Sequence, residues 1–361
     1  MTTVVVTGAA GTVGYRVCNG LANRSGVGRV VAVDRTVPPL DTQASPEGES
    51  AAVVWHLADL ATMDIDEVVA GADVVVHLAS VATTGSDAVD TAADDVEMAT
   101  RVMEAAVRCG VSHVVLRSTA MVYGAWDDNP VPLSEDDPLR ANPALPYASG
   151  RAEIERVTQR CAARNAMTST ILRPTLTVAD SSRDWAAESL RVLASLRPLE
   201  SDPPRQFLHA DDLGEAIIIA VMNRLDGVYN VAPDGWLDAE VVRELAGPSP
   251  QIGLPQRAVG PVAWVLRRFW YSPTPRGMVP YTLYPWVITN DRLRAEGWSP
   301  ANANDEAFVA GHAALLSELS PQRRQEALLV LAGVIVTAPL VGLVAWCTRM
   351  VRRTRSATHP G

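Results

Sequence analysis

The chain has 361 residues, 48% hydrophobic and 20% charged, with a formal net charge of −10; it is long enough for about two ordinary domains, globular in composition, and without global attraction to nucleic acid, which is not an expected partner. All 31 basic residues are arginine, so chemistry that needs a lysine amine, whether Schiff base or proton relay, is excluded. Cys18, Cys109, Cys161 and Cys347 lie far apart without CxxC spacing, which argues against a zinc site and a disulfide scaffold; no metal is expected.

The N-terminus has no basic segment followed by a long apolar run, so it does not read as a signal peptide, and the body is expected in the cytoplasm. Residues 3–7 are a β-branched run suited to a buried parallel strand. They lead into Gly8-Ala-Ala-Gly11-Thr12-Val13-Gly14 and a helix-compatible stretch through Asn23. Glycine lets the backbone turn tightly and approach a pyrophosphate, while the helix N-terminus offers amide donors. The GxxGxxG spacing differs from the GxGxxG of ordinary dinucleotide domains. Its context strengthens it, because a second strand, 29–33, ends at Asp34. An acidic residue there accepts hydrogen bonds from the adenosine ribose and repels a 2′-phosphate, favouring NAD over NADP. Arg35 directly after it weighs the other way, since a guanidinium accommodates a phosphate.

Further strands are expected at 52–57, 73–78, 113–117 and 169–172, with a helix over 96–109 between two of them. This alternation predicts an α/β fold with a doubly wound, Rossmann-like parallel sheet whose ligand lies beyond the C-terminal strand ends. In the C-terminal half, His209 and Asp211 lack a third metal ligand at useful spacing and read as structural. Between Trp264 and Trp298 lie eight of the chain's 19 aromatic residues, broken up by Pro273, Pro275, Pro280 and Pro285. Two readings stand: a substrate-domain core with an aromatic-lined lid, or a surface for the membrane interface. The 22 residues 327–348 carry no charge and are bracketed by arginines. As a helix at ~1.5 Å per residue they would cover ~33 Å, enough for a hydrocarbon core of ~30 Å. A single transmembrane helix at the cell membrane is expected, with a basic tail at 349–361 and the body facing the cytoplasm. The four arginines after the span favour the opposite orientation under the positive-inside rule.

The order of motifs over roughly residues 3–250 resembles the extended short-chain dehydrogenase/reductase superfamily, specifically its NAD-dependent nucleotide-sugar epimerase/dehydratase group. The residues that carry the resemblance are TGAAGTVG (7–14), Asp34, Asp59-Leu60, HLAS (77–80), STAMVYG (118–124), Tyr147 with its partner four residues on, LRP (172–174) and RQFLHADDLGEAI (205–217). It implies an NAD-binding domain over 1–175 and a smaller substrate-binding portion over 176–320, with a return strand to the sheet near 205–217. It implies a cofactor site made by Gly8, Gly11, Thr12, Val13, Gly14, Asp34, Arg35, Leu78, Ala79, Ser80 and Pro174, with Asp59 and Leu60 flanking the adenine. Thr119 is the hydroxyl residue four before Tyr123, Tyr147 the base, and Arg151 stands where the family has its lysine; Tyr147 and Arg151 also face the cofactor.

Arginine supplies charge and donors but cannot pass a proton onward. The site is therefore read either as an adapted oxidoreductase, or as a catalytically degenerate NAD-binding regulator or scaffold, or with Tyr147 as a packed core residue. Leu176 stands where sugar-nucleotide members commonly carry an asparagine, so the expected small-molecule substrate is a nucleotide sugar or a lipid-linked, steroid-like or polyprenyl molecule. The family also allows a homodimer.

Overall fold

The computed structural model describes residues 1–37, 51–80, 88–179, 196–245, 252–262 and 276–316. The expected span at 327–348 and tail at 349–361 lie outside them, as do Trp264, Phe269, Trp270 and Tyr271; among the described residues no helix is long and apolar enough to cross a membrane. Met1–Gly311 forms one compact unit and His312–Gly361 a second.

Valine-rich runs dominate the strands, as burial on both faces requires. The main sheet is built from β1 (Thr2–Thr7), β2 (Val27–Asp34), β3 (Ala52–Leu57), β4 (Val74–His77), β5 (His113–Arg117), β6 (Thr168–Pro174) and β10 (Gly227–Val231). Its order is β10-β6-β5-β4-β1-β2-β3, with every pairing parallel. The order reverses between β1 and β4, and a doubly wound sheet opens its ligand crevice at such a switch point.

Helices cover both faces: α1 (Thr12–Ala22) and α5 (Ala210–Asn223) on one, α2 (Asp66–Val69), α3 (Ala88–Arg108) and α4 (Pro146–Arg164) on the other. The first layer buries Val17, Leu21, Leu213 and Ile217 on Val4, Val6, Val30 and Val76. The second buries Val102, Met103 and Val157 on Val5, Val75 and Val114. Short helices α6 (Ala239–Leu245), α7 (Pro280–Leu283) and α8 (Asp291–Ala295) and helix α9 (Asn304–Leu316) follow.

The return strand expected near 205–217 is placed differently. Phe207–His209 forms β9, which pairs with β7 (Leu176–Val178) in a separate two-stranded sheet, as β8 (Leu196–Pro198) pairs with β11 (Ile252–Leu254). The strand that joins the main sheet is β10, which lies beside β6. Residues 210–217 begin α5, with period-3.6 burial of Leu213, Ala216, Ile217 and Ala220.

His209 and Asp211 are structural, as expected. His209 caps α5 by accepting from the Asp211 amide at 3.3 Å, and Asp211 is ion-paired with Arg16 of α1. The described aromatic residues of 264–298 fit the core reading rather than a bilayer surface. Tyr281, Trp286 and Trp298 are buried, and each spends its polar atom inside: on the carbonyls of Met121, Tyr281 and Asp212 respectively.

Candidate active site

The glycine-rich turn sits at the switch point. Gly8 has φ +71°, and a Cβ there would stand 2.7 Å from the Ala79 amide nitrogen, so only glycine lets β1 end against the start of the β4 loop. At Gly14 a Cβ would meet the Gly8 carbonyl oxygen at 2.1 Å, which binds the first turn of α1 onto the loop. Gly11 is the N-cap, with Thr12 and Val13 opening the helix. The side chain of Asp34, at the end of β2, reaches back to this loop and accepts from the Ala10 amide at 2.9 Å; Arg35 beside it is exposed. A carboxylate has further lone pairs for two ribose hydroxyls. The loop after β3 carries exposed Asp59 and buried Leu60, and Arg101 of α3 pins it by donating to the carbonyls of Leu60, Ala61 and Met63. Sequence reasoning missed Arg101, whose partners lie about forty positions away.

The expected catalytic residues come together. Proline at N1 starts α4, and Tyr147 and Arg151 follow one turn apart, with the Arg151 guanidinium carbon 5.5 Å from the Tyr147 ring centroid. Tyr147 is half-buried, whereas Thr119 and Arg151 are 8% and 5% exposed. Gly150 lets α4 approach α3 closely, a Cβ there standing 3.3 Å from Ala92 Cβ. That approach brings Asp95 of α3, which is 4% exposed, to 3.5 Å from Arg151. Ser80 donates to the same carboxylate at 2.7 Å. Arg151 also lies 3.5 Å from the Arg117 carbonyl oxygen, while its buried Nε makes no hydrogen bond among the described residues. Asp95 was not legible as a site residue, because nothing in the local pattern marks an acid midway along an amphipathic helix.

Arg117, Ser118, Thr119, Met121, Tyr147, Pro174, Thr175, Leu176, Thr177 and Trp286 line one cleft that opens to solvent. Leu176, Met121 and Trp286 give it an apolar wall. Across that wall Arg205 donates to the carbonyls of Tyr281 and Thr282, and Trp286 shares the Tyr281 carbonyl with it.

Residues 4–232 match the family described as NAD dependent epimerase/dehydratase. The chain belongs to that family. NAD is therefore its cofactor, and two features of this chain fit it: the bare-backbone cradle at Gly8 and Ala79, and the buried Arg151 Nε, a donor left for a ribose hydroxyl. An uncharacterized protein of Mycobacterium tuberculosis strain H37Rv is 27% identical over 312 residues, 84% of this chain and 82% of that one. Among solved structures, MoeE5 in complex with UDP-glucuronic acid and NAD superposes with a TM-score of 0.66 at 21% identity, covering 88% of this chain and 100% of that one. A Bacillus cereus UDP-glucuronic acid 4-epimerase in complex with NAD gives 0.64 at 17% identity, covering 87% and 98%. At such identities these likenesses establish the Rossmann-like fold.

In this epimerase/dehydratase fold the cleft is braced from behind by a buried polar network. Glu155 of α4 is 1% exposed and accepts from Ser118 Oγ and from the Arg173 guanidinium, whose Nη2 lies 2.7 Å away. Arg173 also donates to the Tyr123 oxygen at 2.8 Å, and Tyr123 donates to Asn230 Oδ1 of β10 at 2.8 Å. Burial pushes the Tyr123 phenol up to about 12, with Arg173 opposing, so Tyr123 stays protonated as a brace.

Two buried imidazoles make the fold sensitive to acid. His77, whose Nδ1 lies 2.9 Å from Thr7 Oγ1, is pushed down to about 3 by burial, with the Arg151 charge adding. His113, bonded to Thr168, is pushed down to about 4 by burial and then by Arg224. Both bind their protons more weakly folded than unfolded. Their contribution to stability is full above the ordinary value of 6.5 and is lost as pH falls toward about 4 and about 3. The expected slope is about 1.4 kcal/mol per pH unit for each imidazole. Urea unfolding followed from pH 7 to pH 4.5 measures it, and a flat profile would contradict the burial of both rings.

Proposed function

We propose that the chain is an NAD-dependent oxidoreductase or epimerase of the nucleotide-sugar type, acting at a substrate hydroxyl carbon. The observation that carries this reading is the convergence of Thr119 and Tyr147 on one cleft, with Arg151 beside the tyrosine ring and fixed by Asp95. Bound NAD supplies the hydride acceptor. Thr119 Oγ1 already accepts from the Met121 amide at 3.3 Å, which leaves its own proton to donate to the substrate oxygen. Tyr147 takes the hydroxyl proton as general base. Arg151, in the place where the family has lysine, would hold the ribose through its Nε, its charge being paired with Asp95. It does not relay the proton, because arginine is effectively never deprotonated. The proton on Tyr147 therefore returns to substrate, as an epimerase requires, or leaves through the open side of the cleft.

The test is turnover by the purified full chain with NAD and with UDP-glucose or UDP-glucuronate, the ligands named for MoeE5. Epimer formation without net change at 340 nm is the expected result. Stoichiometric NADH formation would make the chain a dehydrogenase. With NADH supplied instead, NADH oxidation by a sterol or polyprenyl carbonyl would assign the apolar wall to a lipidic substrate. NAD binding with no product from any of these would leave a sensor or scaffold and overturn the proposal.

The proposal includes a single-pass membrane anchor at 327–348, with the body facing the cytoplasm. The uncharged run of 22 residues bracketed by arginines supports the span, and a nucleotide-binding body supports its cytoplasmic side. The full chain is expected to stay with cell membranes through an alkaline carbonate wash; release into the soluble fraction would refute the anchor.

A further inference from the structure

The cleft holds a positive charge that the chemistry above does not use. Arg117 ends β5, two residues before Thr119, and lines the cleft together with Thr119 and Tyr147. Side-chain alternation separates it from the polar network behind the site. Leu116 packs with Ala99 of α3 and Ile154 of α4, and Ser118 bonds Glu155 of α4, so Arg117 projects to the other side of the strand. There it is half-buried, and among the described residues its guanidinium makes no ion pair and no hydrogen bond.

The neighbouring arginines differ from it. Arg151 is matched by Asp95, and Arg173 by Glu155, in pairs with nearly no solvent exposure. With both of those charges neutralised, Arg117 sets the sign of the cleft, and among the described residues no acidic one lines it. An uncompensated guanidinium in a partly desolvated site is costly unless an anion completes it, and its planar fork matches a carboxylate or phosphate bidentately.

We infer that Arg117 is a specificity-determining residue that binds an anionic group on the substrate, and that this group is a carboxylate on the sugar ring itself. The inference rests on the nucleotide-sugar reading given above. Two residues of extended chain span about 7 Å. The guanidinium therefore lies within one side chain's reach of the hydroxyl that Thr119 bonds, which suits a carboxyl on a ring carbon close to the reacting one. The cofactor's own phosphates are provided for elsewhere, at the Gly8–Gly14 turn and the start of α1.

The test compares wild type and Arg117→Met, each with NAD, for binding of UDP-glucuronate, UDP-glucose and UDP by calorimetry. Wild type is expected to prefer the uronate by about tenfold or more, as a charge-assisted pair of hydrogen bonds provides. The preference is expected to collapse to near unity in Arg117→Met, with NAD affinity retained. Equal losses for both sugars and for UDP would place the guanidinium on the diphosphate and overturn the inference. Loss of NAD affinity would assign it to the cofactor, with the same consequence. Should neither nucleotide sugar bind while NAD does, the nucleotide-sugar reading fails separately. Thermal stabilisation by free D-glucuronate over D-glucose, present in wild type and absent in Arg117→Met, then decides Arg117 on its own, and no difference would overturn the inference.

Discussion

Glu155→Ala is expected to destabilise the fold by about 3–5 kcal/mol, the cost of breaking a buried ion pair from one side. Arg173 is 4% exposed, and without Glu155 its charge keeps, among the described residues, only the Tyr123 oxygen as a hydrogen-bond partner. Ser118 loses its acceptor in the same step. The loss should show as a lower urea midpoint with an unchanged slope. The double variant Glu155→Ala/Arg173→Met should recover part of it, since it removes both charges together and leaves none unpaired. A single-variant loss below about 1 kcal/mol would mean that the pair is solvated, contrary to its burial.

Tyr147→Phe is expected to lower kcat by a factor of ~10²–10⁴, the usual contribution of a positioned general base. NAD affinity should hardly move. Phenylalanine keeps the ring that lies 5.5 Å from Arg151, and the Asp95 ion pair does not involve the phenol oxygen. Unchanged kcat would remove Tyr147 from the chemistry. Arg151→Lys is the companion measurement. An ammonium is a compact point charge, whereas the guanidinium reaches Asp95 with Nη2 and the Arg117 carbonyl with Nη1. Lower turnover with lysine would mark a site adapted to arginine; turnover that arises only with lysine would mark a degenerate one.

What could be read from the sequence follows from the range of the interactions. The turn at Gly8, Gly11 and Gly14, the acid at Asp34 and the one-turn spacing of Tyr147 and Arg151 are local patterns, and the structure brings these residues to the switch-point side of one sheet. Asp95, Arg101 and Glu155 each bond an element distant in sequence, a helix, a loop and a strand end respectively, and no sequence period announces such partners. The return strand was misplaced for a related reason. Phe207–His209 looks extended and is extended, but which sheet it joins is decided by packing among distant segments. The aromatic stretch could be read as bilayer-facing because composition does not tell an indole buried against Asp212 from one at a lipid headgroup; the hydrogen bond of Trp298 does.

The position of β10 bears on how the chain is made. The sheet is bordered on one side by β10, which ends at Val231, well after Tyr147 and Arg151 have been synthesised. A ribosome releasing residues in order thus exposes the edge of β6, Thr168–Pro174, until some sixty further residues have emerged. Parallel pairings of this separation close slowly, and an unpaired edge invites pairing with another chain. Early termination anywhere between β6 and β10 should therefore yield an aggregating fragment rather than a soluble one.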